Sequence, residues 1–241
     1  MSWTYAEIAK LIDHALLTPA LKEEQLDAGC RLALDYDVAS VCILPYAVTR
    51  CANILRGGTV RVSTVIGFPH GGQHASVKLA EARQALADGC EELDVVINIS
   101  QAVSERWNYL TAELAPIIQT THDAGQKVKV IFENCYLTDA HKRELCKICS
   151  DLGADWVKTS TGFGSGGATL DDLRLMRAYA APHVQIKAAG GLRDLDMVLA
   201  ARELGATRCG TSRTAEILDE CRKRLNLTPL AATTSAPAGG Y

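Results

Sequence analysis

Val184-Gln185-Ile186-Lys187-Ala188-Ala189-Gly190-Gly191 is the stretch whose reading decides the fold. Successive side chains of a strand point to opposite faces. Val184, Ile186 and Ala188 therefore form one apolar face, while Gln185 and Lys187 occupy the other, and two glycines end the run. Such a strand fits the wall of a closed parallel barrel. Its outer face packs on helices, and its inner face leads to a site at the strand's C-terminal end.

Seven further runs surround this one, at 11–17, 38–44, 60–67, 92–99, 128–134, 156–161 and 207–211. Amphipathic stretches at 23–35, 47–55, 75–88, 107–124, 139–152, 171–180, 195–204 and 214–224 alternate with them, and a short helix at 5–10 comes first. Gly89, Gly125, Gly153 and Gly205 stand where helix C-caps are needed. Eight strand-then-helix repeats predict an α/β chain folded as a (β/α)8 TIM barrel with an extra N-terminal helix. Residues 1–227 read as one catalytic barrel domain. Residues 228–241 are rich in Ala, Thr, Pro and Gly, have no period, and read as a flexible C-terminal tail.

The bulk properties narrow the function. The 241 residues suit one such barrel, and 48% hydrophobic residues can fill its core. A net charge of −3 with no basic stripe argues against nucleic acid. No apolar run is long enough to span a bilayer, and residues 1–10 lack a signal-peptide pattern. The nine cysteines then read as reduced thiols of a cytoplasmic protein. Cys146 and Cys149 form a lone CxxC inside a helical pattern, which reads as structural. His70 and His74 are spaced like metal ligands, but His70 lies in a Pro-Gly loop without a third partner, so no metal is expected.

The same parity sends Asp94, Val96 and Asn98 inward from the fourth strand, and Lys129, Ile131 and Glu133 from the fifth. Asp13 and Cys42 face inward from the first and second. In the sixth, where Trp156 and Val157 are both apolar, register with the neighbours turns Lys158 inward. The interior would then hold two aspartates, a glutamate and three lysines. Burying ionised groups is costly unless they pair or line a solvated site. A salt-bridged core without chemistry is one reading; catalysis at the strand ends is the other.

Lys158 and Lys187 fall on adjacent strands, where like charge and partial desolvation lower an amine pKa. A neutral amine attacks carbonyls and forms an iminium, and an inward carboxylate such as Asp94 can move protons between intermediates. Spacing alone leaves open which lysine is the nucleophile. Glycines at 162, 164, 166 and 167 follow the sixth strand, Gly190-Gly191 the seventh, and Gly210-Thr211-Ser212 the eighth, where it opens the last helix. Glycine loops and a helix N-terminus let backbone N–H groups meet a phosphate.

Several segments resemble deoxyribose-phosphate aldolases. They are Asp155-Trp156-Val157-Lys158-Thr159-Ser160-Thr161-Gly162, Lys187-Ala188-Ala189-Gly190-Gly191-Leu192-Arg193, Glu92-Leu93-Asp94-Val95-Val96, Ile66-Gly67-Phe68-Pro69-His70-Gly71 and Leu11-Ile12-Asp13-His14. The resemblance runs from Ile12 to Ser212. It implies cleavage of 2-deoxy-D-ribose 5-phosphate to acetaldehyde and D-glyceraldehyde 3-phosphate in deoxyribonucleotide catabolism, with no metal or organic cofactor. It implies a Schiff base on Lys158, a pKa-perturbing Lys187, and proton transfer by Asp94 with water. Gly162, Gly190, Gly191 and Ser212 match phosphate-binding positions. Phe163 stands where some members carry lysine, and Arg213 would restore the lost positive charge. Tyr241, the tail's single aromatic, could bring its phenol over the barrel mouth. Cys42 is either a packed thiol or a point of attack by reactive aldehydes. Self-association as a homodimer is expected. The competing readings are a Schiff-base aldolase for another phosphosugar and a non-catalytic phosphosugar-binding barrel.

Overall fold

The computed structural model describes residues 3–228 and 230. Eight strands pair in parallel in chain order: β1 (Ile12–Leu16), β2 (Ser40–Ile43), β3 (Arg61–Ile66), β4 (Glu92–Val96), β5 (Lys127–Ile131), β6 (Trp156–Lys158), β7 (Gln185–Ala189) and β8 (Ala206–Thr211). β8 returns to β1, so the sheet closes into a barrel. Among the described residues, the helices are α1 (Tyr5–Ala9), α2 (Glu23–Asp35), α3 (Val48–Leu55), α4 (Ala75–Ala87), α5 (Ile99–Val103), α6 (Trp107–Asp123), α7 (Asp139–Asp151), α8 (Leu170–Tyr179), α9 (Leu195–Glu203) and α10 (Thr214–Arg224). This is the expected TIM barrel with its leading helix. None of these helices is long and apolar enough to cross a membrane.

Local sequence sets the helix limits. The side chains of Thr138, Thr169 and Asp194 accept the N–H of His141, Asp172 and Met197, which caps the starts of α7, α8 and α9. At the other ends Gly89, Gly125, Gly153 and Gly205 adopt φ of +98°, +72°, +74° and +89°, the left-handed conformation that stops a helix. Strand ends fall earlier than alternation suggests. β4 stops at Val96 because Asn98 caps α5, accepting the Gln101 N–H at 3.1 Å. Asn98 therefore belongs to a helix start, not to the barrel interior as parity predicts. β5 stops at Ile131, followed by Glu133 at φ +59° and a 3₁₀ turn at Asn134–Tyr136.

The core is split by the barrel wall. Outside it, Ile12, Val41, Leu93, Val95, Val128, Val130, Val157, Ile186 and Ala188 are fully buried together with helix residues such as Leu110, Leu114, Leu145 and Ile217. Each large side chain so buried stabilises the fold by about 1.5–3 kcal/mol, and Leu145→Ala would cost about 2–5 kcal/mol. One charged pair interrupts this layer. Lys78 of α4 and Glu113 of α6, both fully buried, meet at 2.9 Å. They also hold the end of β4, through Val96 O at 2.8 Å and Asn98 N at 3.0 Å. Inside the wall charged and polar side chains are mixed with Val96, Ile131 and Trp156 and with a small cluster of Leu17, Cys42 and Val65.

Candidate active site

Register brings the inward charges together. Lys158 and Lys187 are partners across β6 and β7, and Asp94 and Lys129 across β4 and β5. Asp94 Oδ2 accepts from Lys158 Nζ and from Lys187 Nζ, each at 2.7 Å, while Oδ1 accepts from Lys129 Nζ at 2.8 Å. Asp13 Oδ2 lies 2.5 Å from Lys187 Nζ, an ion-pair distance without hydrogen-bond alignment. Its Oδ1 accepts from Arg208 at 2.7 Å. Below these, Glu92 accepts from both terminal nitrogens of Arg208, at 2.8 and 2.7 Å, and pairs with Lys129 at 2.7 Å. The Trp156 ring lies under Arg208, centroid to guanidinium 5.0 Å.

Counting charge across this cluster identifies the odd member. Lys129, Lys158, Lys187 and Arg208 supply four potential cations; the carboxylates at ion-pair distance are the three of Asp13, Glu92 and Asp94, while Glu133 acts on Lys158 only from farther off. An unbalanced buried charge is expensive, so one amine is best left neutral. Lys129 has three carboxylates within 4 Å, and Lys187 and Arg208 have two each. Lys158 has Asp94 alone, shared with Lys187. Burial pulls the Lys158 amine below the ordinary lysine range; Asp94 opposes this and Lys187 reinforces it. Desolvation, more than lysine–lysine repulsion, is thus the main cause. Burial acts the same way on Lys187, but Asp13 and Asp94 together outweigh it and hold that ammonium above the ordinary value. Burial also opposes ionisation of Asp94, yet the three lysines around it keep it far below the usual carboxylate range.

The pocket above Lys158 has two unlike walls. On the β1–β3 side Ala15, Leu17 and Cys42 face it, with Cys42 fully enclosed and its thiol pushed up by burial. On the β6–β8 side it is lined by Gly162, Gly190, Gly191, Ser212, Arg193 and Arg213. Among the described residues, the backbone N–H groups of Gly162, Gly190, Gly191 and Ser212 donate to no protein group. Four such donors around one concavity, beside two exposed guanidinium groups, suit a phosphate. Gly164, Gly166 and Gly167 do not line the pocket; they pack the loop on Cys135 and on Gly190. Phe163 meets Phe68 edge-on, with ring centroids 5.2 Å apart.

Three residues escaped the sequence reading. Glu92 shares the parity of Asp94 but opens its strand, and Arg208 belongs to a strand, Ala206–Thr211, with no clear alternation. Arg193 lay within a quoted motif, yet nothing in its spacing showed that it reaches the pocket. Tyr241 lies outside the described residues. His74 caps α4 through its ring, accepting the Ser76 N–H, and among the described residues no cluster of three or more acidic, His or Cys side chains is placed to hold a metal.

A parallel barrel with a buried lysine–carboxylate cluster, under a mouth lined by backbone N–H groups unpaired among the described residues, is the architecture of a Schiff-base aldolase site, and the family match makes the chain an aldolase. The chain belongs to the DeoC/LacD family of aldolases, whose sequence model matches residues 8–213. A relative from Rhodopirellula baltica, named deoxyribose-phosphate aldolase, is 57% identical over 98% of both chains. One of the same name from Thermococcus gammatolerans is 44% identical over 90% of this chain and 97% of its own. The solved structure of deoxyribose phosphate aldolase from Aeropyrum pernix, described as tetrameric, superposes with a TM-score of 0.85 at 31% identity, covering 92% of this chain and 93% of that one.

Proposed function

We propose that this chain cleaves 2-deoxy-D-ribose 5-phosphate reversibly to acetaldehyde and D-glyceraldehyde 3-phosphate, through a Schiff base on Lys158, within deoxyribonucleotide catabolism. The observation that carries this reading is the position of Lys158. It is the buried amine with a single, shared carboxylate, directly beneath the glycine-lined mouth. Its neutral Nζ attacks C1 of the open-chain sugar, and loss of water gives an iminium. The iminium draws the C2–C3 bonding electrons as that bond breaks and the C3 hydroxyl gives up its proton. Glyceraldehyde 3-phosphate leaves, and the two-carbon enamine takes a proton at C2. Water then hydrolyses the resulting iminium, releasing acetaldehyde and free Lys158. Asp94, 2.7 Å from Nζ, relays the protons directly or through water. Lys187 stays charged and favours the neutral form of its neighbour. The phosphate rests on the N–H groups of Gly162, Gly190, Gly191 and Ser212, with Arg193 and Arg213 supplying charge.

The test is acetaldehyde release from deoxyribose 5-phosphate, compared with other phosphosugars. Binding without release would favour a non-catalytic barrel, and faster turnover of a different phosphosugar would favour the alternative aldolase. We further place residues 1–227 in one catalytic unit followed by a tail, and the protein in the cytoplasm as a homodimer. The chain's charge pattern and reduced-thiol composition support the location, and sedimentation at assay concentration tests the dimer.

A further inference from the structure

Glu133 is an inward-side carboxylate of the barrel that the mechanism does not use. It is 2% exposed and holds a left-handed backbone at φ +59°, unusual for a residue with a side chain. Such a conformation persists only where the surroundings impose it. Among the described residues Glu133 forms no ion pair within 4 Å of Lys129, Lys158 or Lys187, though the Lys158 charge reaches it; its hydrogen bonds turn instead to the loop after β6. The Thr161 N–H reaches both carboxylate oxygens at 3.3 Å, and the Thr161 hydroxyl donates to Oε2. That hydroxyl in turn accepts the Phe163 N–H at 3.0 Å. Gly164 crosses so closely that a Cβ there would lie 3.0 Å from Glu133 Cδ and 2.8 Å from Cys135 Sγ. The far end of the same loop is fixed on β7, where the Ala168 N–H donates to Ala189 O at 3.1 Å and to Gly190 O at 3.0 Å.

We propose that Glu133 is a positioning residue for phosphate recognition: it clamps the 161–167 loop against β5 so that the Gly162 N–H faces the phosphate. The inference rests on the phosphate-binding reading above. Besides the contact of the Phe163 ring with Phe68, the loop is anchored at both ends, and the anchor at the β7 end is backbone to backbone. The anchor on β5 depends on a single side chain. Its loss leaves Thr161 and Gly162 free to turn away while Lys158, Asp94 and Lys187 keep their places.

Glu133→Ala and Glu133→Gln are assayed with 2-deoxy-D-ribose 5-phosphate and with unphosphorylated 2-deoxy-D-ribose. Trapping of acetaldehyde by borohydride reports on the lysine chemistry separately. Glu133→Ala raises KM for the phosphorylated sugar about tenfold or more, the scale of losing hydrogen bonds to a charged group, and leaves kcat/KM for the unphosphorylated sugar unchanged. Glu133→Gln keeps the shape and one acceptor and gives a smaller increase of the same kind. Equal losses on both sugars, or slowed trapping, would overturn the proposal and make Glu133 a partner of Lys158. An unchanged KM in Glu133→Gln would also overturn it, even if the alanine variant fails to fold. If the unsubstituted enzyme itself does not prefer the phosphorylated sugar, the phosphate reading fails instead, whatever Glu133 does.

Discussion

Lys158 Nζ donates to Asp94 Oδ2 at 2.7 Å, and among the described residues Asp94 is the one carboxylate with which this lysine pairs. Replacing Asp94 by asparagine keeps the shape but removes the charge that balances three lysines and the group that relays protons. Asp94→Asn should lower kcat for deoxyribose phosphate cleavage by about 10²–10⁴, the usual range for a general acid–base group. Steady-state kinetics checks this, and a loss under tenfold would remove Asp94 from proton transfer.

Lys187 controls the charge of its neighbour. Its ammonium disfavours a second positive charge on Lys158, so removing it makes Lys158 easier to protonate. Activity requires the neutral amine and rises as pH rises through the Lys158 pKa. In Lys187→Met the acid limb of kcat/KM should therefore move to higher pH. A lower rate with an unmoved limb would assign Lys187 to another role.

Arg193 and Arg213 flank the glycine cradle from the loops after β7 and β8. Each alanine substitution should lower the preference for phosphorylated over unphosphorylated deoxyribose by about tenfold, the worth of one charge-assisted contact. If Arg213→Ala leaves KM for the phosphorylated sugar unchanged, Arg213 does not compensate for Phe163.

Much of this site was legible because a strand's parity survives folding. Val184, Ile186 and Ala188 face the helices, and Lys187 faces in; the same rule delivered Asp13, Cys42, Asp94 and Lys129, while Lys158, on a strand with no clear alternation, needed the register of its neighbours. Parity fails where the strand ends. Nothing in the run 92–99 marks Val96 as the last strand residue, because the competing signal is the cap that Asn98 gives to a five-residue helix. It also fails without contrast. In Ala206–Thr211 both faces carry small or polar residues, so Arg208, which pairs with Asp13 and Glu92, looked like any surface arginine. Loop geometry was beyond reach for a different reason. The contact of Glu133 with Thr161 joins residues 28 positions apart through a side chain, and no local pattern encodes it.

His14 gives a stability prediction with a definite sign. It is 2% exposed, its Nδ1 is 2.8 Å from the Thr214 hydroxyl, and its Nε2 has no partner among the described residues. Burial pushes its pKa down to about 4. An unfolded histidine titrates near 6.5, so between about pH 6.5 and 4 the unfolded chain binds a proton that the folded one refuses. The fold loses up to about 3 kcal/mol across that window and nothing above it. Urea unfolding at pH 7.5 and pH 4.5 should show His14→Asn gaining on the unsubstituted protein as pH falls. Parallel losses in both proteins would contradict this.

The most direct measurement is borohydride reduction in the presence of acetaldehyde, followed by peptide mapping. The account predicts a two-carbon adduct on Lys158, formed faster as pH rises toward neutrality, and none in Lys158→Met. An adduct on Lys187 would contradict the charge count that leaves Lys158 neutral, and no adduct in folded protein would contradict the Schiff-base mechanism itself.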